Sequence, residues 1–135
     1  MESRLKKAVE KHKKGYNCAQ AVVCSYCDLF GVDEKTAFRI SEGFGGGMGQ
    51  MRETCGAVTG LFMLLGFKNS GADLEKPGSK LDTYKLVKEA AQKFINKNAS
   101  IKCADLLGVG GKPKLRSCDG CIEDACAIFE EILGD

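Results

Sequence analysis

The sequence predicts an all-α fold, a single-domain bundle of about six helices. Apolar residues recur at helical spacing along most of the chain, and no segment alternates polar and apolar residues as a strand would. Polar N-cap residues and glycines stand where these periodic segments begin and end. The chain has 135 residues, of which 44% are hydrophobic and 28% are charged, which is typical of one globular domain. We therefore treat residues 1–135 as a single domain.

Six helices and one short helical turn are predicted, and each is bounded by a recognisable start or stop signal. Asn17 and Asp33 are suitable N-caps, and Gly15 and Gly31 are suitable stops. The segment after Asn17 is apolar nearly all round, so it should be central in the bundle. In order, the predicted segments are residues 3–14, 18–30, 33–44, 55–67, 81–96, the turn 103–108, and 118–133.

The helix predicted after the N-cap Thr54 is the most apolar of all. Gly56 and Gly60 lie four residues apart on it, so one of its faces is bare backbone. Such a face favours the close approach of a neighbouring helix. A membrane dimerisation motif has the same spacing, but this helix is too short to span a bilayer.

The charge pattern excludes some classes of partner. The chain carries 20 basic and 18 acidic residues, a net charge of +2, which gives no electrostatic basis for binding nucleic acid. Its N-terminus begins a charged amphipathic segment and does not resemble a signal peptide. The longest apolar run is far shorter than a membrane span. We expect no membrane association and a cytoplasmic location.

Eight cysteines are unusual for such a chain. In a reducing compartment, clustered cysteines indicate a metal, an iron–sulfur cluster or thiol redox chemistry more often than structural disulfides. Four of them stand at or near predicted helix starts, where the helix dipole and free N–H groups favour the thiolate. Four such thiolates would suit a metal site or a set of redox thiols. These four are Cys18, Cys55, Cys103 and Cys118.

These four cysteines are far apart in sequence, so only tertiary folding can bring them together. The helices after Asn17 and Thr54 should then begin at the same end of the bundle. A glycine-rich loop precedes Cys55, and its exposed backbone N–H groups should form one wall of the site. The predicted cofactor-binding residues of this loop are Gly45, Gly46, Gly47 and Gly49.

The other cysteines carry weaker signals. Cys24 and Cys27 form a CxxC inside a predicted apolar helix, and Cys126 lies on an apolar stripe, so burial is the expected role of all three. Cys118 and Cys121 form a second CxxC. Neither pair is followed by histidine, so no c-type haem is expected. The one histidine, His12, lies among lysines and is expected on the surface.

These motifs together resemble the family of redox-active proteins named for its C_GCAxxG_C_C cysteine signature. The resemblance rests on the segments 17–22, 45–60, 103–108 and 118–125, which span most of the chain. One departure is the order Cys55-Gly56-Ala57, where the signature reads Gly-Cys-Ala. The family is similar to a domain of split-Soret cytochromes, in which cysteines hold an iron–sulfur cluster. The resemblance implies that Cys18, Cys55, Cys103 and Cys118 are cluster ligands.

Three functions remain open from the sequence. The first is an electron-transfer protein that binds an iron–sulfur cluster or other metal and serves a redox partner protein. The second is a metal-free thiol–disulfide oxidoreductase, in which Cys55 attacks and Cys18 or Cys118 resolves. The third is a non-catalytic helical interaction module with scattered cysteines. The sequence leaves open whether the chain is an oxidoreductase component and whether it forms a homodimer.

Overall fold

The computed structural model describes residues 1–134 and confirms the all-α prediction. Seven α-helices and two short 3₁₀ segments, Cys27–Phe30 and Glu42–Phe44, make up the regular structure of these residues, together with the turn Gly45–Met48, which is interrupted by non-helical backbone at Gly46 and Gly47. Their only β feature is one isolated antiparallel bridge between Thr54 and Lys102. The helices are α1 (Leu5–Lys14), α2 (Cys18–Tyr26), α3 (Glu34–Ser41), α4 (Gly56–Asn69), α5 (Lys80–Asn98), α6 (Cys103–Leu107) and α7 (Cys118–Gly134).

Helices α2 and α4 form the centre of the bundle. Every residue of α2 after Cys18 is buried, as its apolar composition predicts. Helix α4 packs along α2 and is buried over most of its first ten residues. The other long helices surround this pair: α1 and α3 pack on α2, α5 packs on α4, and α7 contacts α1, α2, α4 and α5.

The glycine face of α4 is the contact surface with α2. A Cβ added at Gly60 would lie 3.1 Å from the carbonyl oxygen of Ala19 and 3.1 Å from Cβ of Val22. One added at Gly56 would lie 3.3 Å from Cβ of Cys18. These distances are shorter than ordinary van der Waals contacts, so a side chain would fit at either position only if the neighbouring atoms moved. Because Cys18 and Gly56 are the first residues of their helices, the contact also places both helix starts at the same end of the bundle.

Polar contacts join α7 to the rest of the bundle. The phenol of Tyr26 donates to the Glu130 carboxylate, which also accepts from the backbone N–H of Arg4 at 2.8 Å. The Tyr26 ring meets that of Phe129 edge-on, with centroids 4.9 Å apart. Nearer the start of α7, the Asp124 carboxylate accepts from Asn98 at 3.0 Å. Contacts at two points along α7 therefore fix its orientation and the position of its first turn.

Most predicted helix boundaries differ from the structure by one to four residues, and two of these differences lie in the central helices. Helix α2 ends at Tyr26, because residues 27–30 tighten into a 3₁₀ turn before Gly31, whose φ is 70°. Helix α4 begins at Gly56, so its N-cap is Cys55 and not Thr54. No helix within residues 1–134 is long and apolar enough to cross a membrane.

We predict that Gly60→Val destabilises the chain by roughly 1–3 kcal/mol, because the new side chain must push α2 and α4 apart. The matched control is Gly66→Ala on the same helix, where an added Cβ meets nothing within 4 Å. This control should be neutral or slightly stabilising, because alanine favours the helix over glycine. Urea denaturation of both variants measures the difference. Equal stabilities would contradict the close packing of α2 on α4.

Candidate functional site

The four signature cysteines all line one cavity, of about 160 Å³, at the end of the bundle where α2 and α4 begin. A fifth cysteine, Cys121, lines it as well. The four cysteines that the sequence singles out are therefore not scattered over the bundle, and their role as ligands stays a prediction. The cavity is lined by His12, Asn17, Cys18, Gly46, Gly47, Arg52, Cys55, Gly56, Cys103, Leu106, Leu107, Cys118 and Cys121.

The cysteines converge because four helices begin around the cavity. Cys18, Cys103 and Cys118 are the first residues of α2, α6 and α7, and Cys55 is the N-cap of α4. Asn17 caps α2 through a reciprocal capping box with Gln20. Ser117 caps α7 by accepting a hydrogen bond from the N–H of Gly120 at 3.0 Å. The N-terminal ends of α2, α4 and α7 make this cavity favourable for negative charge.

The β-bridge between Thr54 and Lys102 joins two of these cysteines. The N–H of Cys55 donates to the carbonyl of Ile101 at 2.8 Å, and the N–H of Cys103 donates to the carbonyl of Glu53 at 2.6 Å. This pair of hydrogen bonds holds the chain before α4 against the chain before α6. The bridge thus positions Cys103, which lies on a helix too short to orient it alone.

The glycine loop forms one wall of the cavity by turning in the left-handed sense. Residues 46–50 all have φ between 63° and 74°. Gly46 and Gly47 line the cavity, whereas Gly45 packs against Asn17, and neither Gly45 nor Gly49 is among the described lining residues. A Cβ on Gly47 would lie 2.5 Å from Cβ of Cys103. Glycine is therefore needed at position 47 to leave room for that cysteine.

The loop also contains strained residues that are not glycine. Met48, Gln50 and Arg52 have φ values of 67°, 66° and 60°, a conformation that costs roughly 1–2 kcal/mol for each. Such strain is concentrated at functional sites, where the surrounding structure maintains it. Here it directs Arg52 toward the cavity, where its Nη1 lies 3.7 Å from the sulfur of Cys103. A fixed positive charge therefore faces one of the signature cysteines.

Two of the signature sulfurs form a close pair. A hydrogen bond from the Cys18 thiol and, to a smaller extent, the nearby charges of His12 and Lys114 together lower the pKa of Cys118 to about 6, against the opposing effect of burial. The same hydrogen bond, together with burial, raises the pKa of Cys18 well above its usual range. The pair is therefore a thiol and a thiolate at neutral pH. Both side chains are half-buried.

Cys55 forms a second pair with Cys121. A hydrogen bond from the Cys121 thiol lowers the pKa of Cys55, and the N–H groups of Ala57 and Val58 act in the same direction while burial opposes them. This hydrogen bond and burial raise the pKa of Cys121. The pKa of Cys55 is thus lowered chiefly by Cys121, and the N–H groups at the start of α4 make a smaller contribution in the direction that the sequence predicts. The identity of its partner, Cys121, is new.

The remaining three cysteines lie away from the cavity, as predicted. Cys24 and Cys27 are buried near the end of α2, and burial raises the pKa of Cys24 to about 12. Cys126 is fully buried in α7, and burial raises its pKa to about 12. The raised pKa values of all three favour the neutral thiol.

A metal or cluster fits this cavity in some respects and not in others. The donor set is five thiols, the surroundings are positive, and the volume far exceeds the roughly 10–15 Å³ that one water needs. However, no three His, Cys, Asp or Glu side chains within residues 1–134 form a group that could hold a metal ion as they stand. Four of the five sulfurs form two pairs and Cys103 belongs to neither, so ligation would require cysteine side chains to change rotamer.

The comparison with known families agrees with these motifs. Residues 16–132 match the family described as "Putative redox-active protein (C_GCAxxG_C_C)". The chain belongs to this family. No curated protein and no solved structure matches it. The matched residues include all four signature cysteines and the glycine loop. They also include Cys121, which is not one of the four signature cysteines.

Sequence reasoning missed three cavity residues. His12 was expected on the surface among lysines, but it lines the cavity, where its Nδ1 lies 2.7 Å from Oδ1 of Asp119. Arg52 gave no signal, because its orientation depends on a backbone conformation unusual for arginine. Cys121 did give a signal, the CxxC spacing from Cys118, but one helical turn of separation does not reveal that it contacts Cys55.

We predict that Cys118 of the reduced, metal-free chain is alkylated by iodoacetamide with a midpoint near pH 6, because its pKa is about 6. An ordinary cysteine has a pKa of about 8.5. Above the midpoint the thiolate dominates, and the rate should fall as the pH falls through it. Cys18→Ala should raise the midpoint by removing the hydrogen bond.

Mass spectrometry of the alkylated peptides follows each site separately. Cys24 is the internal control and should remain unmodified in the folded chain, since it is buried with a raised pKa. A Cys118 midpoint at or above about 8.5 would show that the thiol pair does not form.

Proposed function

We propose that this chain is an electron-transfer protein whose four signature cysteines bind an iron–sulfur cluster. The observation that supports this proposal best is the convergence of Cys18, Cys55, Cys103 and Cys118 on one cavity through four separate helix starts. If these cysteines served only as small buried side chains, nothing in the packing would require all four to line the same cavity. The cluster, when bound, supplies a centre that gains and loses one electron.

The chain's own residues would bind the cluster and set its potential. Thiolates are the ligands that iron–sulfur clusters require, and the site favours thiolates at Cys55 and Cys118. The guanidinium of Arg52 and the helix N-termini of α2, α4 and α7 offset the negative charge of the thiolates. Backbone N–H groups near the sulfurs would raise the potential by hydrogen bonding.

The half-buried pair Cys18 and Cys118 defines the side of the cavity that faces solvent. Cys55, Cys103 and Cys121 are buried, at 6%, 7% and 2% exposed. A redox partner protein would therefore approach at the Cys18–Cys118 side, where the path from the surface to the cavity is shortest. Lys114 lies near this side and would favour an acidic partner surface.

A second candidate is a metal-free thiol–disulfide oxidoreductase. It is favoured by the contact between the Cys18 and Cys118 thiols. It is also favoured because no three His, Cys, Asp or Glu side chains among residues 1–134 are already arranged to bind a metal ion. In this function Cys118 would be the attacking thiolate and Cys18 the resolving thiol, because Cys118 has the lower pKa of this half-buried pair.

Anaerobic reconstitution with iron and sulfide distinguishes the two candidates. We expect a coloured protein with visible absorption bands and with bound iron and sulfide. Cys103→Ser should lose most of this absorption and iron, because it removes one ligand. Cys24→Ser is the matched control and should load like the wild type, since Cys24 lies outside the cavity.

A colourless wild-type protein with no bound iron would contradict the cluster proposal. If that protein also forms a Cys18–Cys118 disulfide under mild oxidation, the thiol–disulfide function is favoured instead. Equal iron content in Cys103→Ser and the wild type would show that iron binds elsewhere.

A further inference from the structure

Cys121 lies outside the family signature but inside the cavity. It occupies the first turn of α7, three residues after Cys118, and is 2% exposed. Its thiol hydrogen-bonds with the sulfur of Cys55, which is 6% exposed. The thiol in contact with this central signature cysteine is therefore one that the signature does not contain.

The two sulfurs approach from different directions. Cys55 is held by the bridge between Thr54 and Lys102, and Cys121 by α7, whose orientation is fixed by the contacts of Glu130 and Asp124. Gly120, which precedes Cys121, allows Arg116 to pack over the start of α7 and reach Asp124 at 3.1 Å. The tertiary structure, and not closeness in the sequence, therefore brings the two sulfurs into contact.

We propose that Cys55 and Cys121 form a redox-active dithiol that a small hydroperoxide converts into a disulfide. The cavity of about 160 Å³ gives access to both sulfurs. Because both sulfurs are buried, a large disulfide substrate could not enter and align its S–S bond with the attacking sulfur. Hydrogen peroxide has two heavy atoms and fits the cavity.

The chemistry balances as two successive displacements. The sulfur of Cys55 attacks one peroxide oxygen and the O–O bond breaks. The leaving hydroxide takes up the proton that the Cys55 thiol has lost and becomes water, which gives a Cys55 sulfenic acid. The sulfur of Cys121 then attacks the Cys55 sulfur. The S–S bond forms, the S–O bond breaks, and hydroxide leaves with the thiol proton as a second water. Two thiols are oxidised and one peroxide is reduced, and an external dithiol restores both thiols.

The disulfide has a consequence for the proposed function. Cys55 is also a proposed cluster ligand, so its oxidation would remove one ligand and block cluster loading until the disulfide is reduced. Only this consequence rests on the proposed function. The dithiol itself rests on the contact of the two sulfurs in the cavity.

The direct test uses the reduced, iron-free wild-type chain. The chain is treated with excess hydrogen peroxide under anaerobic conditions, free thiols are alkylated, and disulfides are mapped by mass spectrometry. We expect a peptide pair joined through Cys55 and Cys121. The proposal is overturned if both residues remain alkylated, or if Cys55 is joined to a different cysteine.

Cys121→Ser tests the resolving role, with Cys24→Ser as its matched control. Disulfide formation at Cys55 should slow by roughly tenfold or more in Cys121→Ser, because the oriented partner sulfur is gone. Dimedone should then trap Cys55 as a sulfenic acid, and Cys24→Ser should behave like the wild type. An unchanged rate in Cys121→Ser would contradict the proposal. If Cys121→Ser does not fold, the wild-type map decides alone.

Iron content separates this inference from the proposed function. The reduced wild type should load iron on reconstitution, the peroxide-treated chain should load much less, and dithiothreitol should restore loading. If the reduced chain binds no iron, the proposal of an iron–sulfur cluster is refuted. The proposal of the Cys55–Cys121 dithiol is not affected, because the disulfide map tests it separately. Equal loading before and after formation of the Cys55–Cys121 disulfide refutes the proposed block.

Discussion

The site depends on the close approach of α2 and α4 along the bare glycine face of α4. This contact brings the starts of two central helices together, and with them Cys18 and Cys55. The remaining elements bring the other cysteines to the same place: the β-bridge positions Cys103, and the fixed orientation of α7 positions Cys118 and Cys121. Distant parts of the chain thus contribute to one cavity through packing that side chains on the glycines would prevent.

The electrostatics of the cavity explain how thiolates can exist in a largely buried place. Burial disfavours the ionised form of a cysteine. Here thiol hydrogen bonds, helix N-termini, His12 and Lys114 oppose it, so Cys118 and Cys55 have lowered pKa values while their partners have raised ones. The strained backbone that directs Arg52 toward Cys103 adds a fixed positive charge. The same features suit a negatively charged cluster and a reactive dithiol.

The fold class could be predicted from the sequence because helix starts, helix stops and apolar periodicity are local signals. The site could be predicted only in part, because His12, Arg52 and Cys121 line the cavity beside the four signature cysteines. Asn17 and Asp33 act as N-caps, Gly31 ends its segment, and Gly56 and Gly60 form the contact face as predicted. The pairing of the sulfurs could not be predicted in this way. It depends on how α7 lies against α4, which is determined by tertiary contacts. The left-handed turn could not be predicted either, because Met48, Gln50 and Arg52 have positive φ values that residues other than glycine rarely adopt.

The most direct measurement of the central claim is a crystal structure of the anaerobically reconstituted chain, with data collected for the anomalous scattering of iron. The account predicts anomalous peaks inside the cavity, with Cys18, Cys55, Cys103 and Cys118 as ligands. Iron bound away from this cavity, for example near Cys24 and Cys27, would contradict it. So would a structure in which the four signature cysteines do not share one iron-containing group.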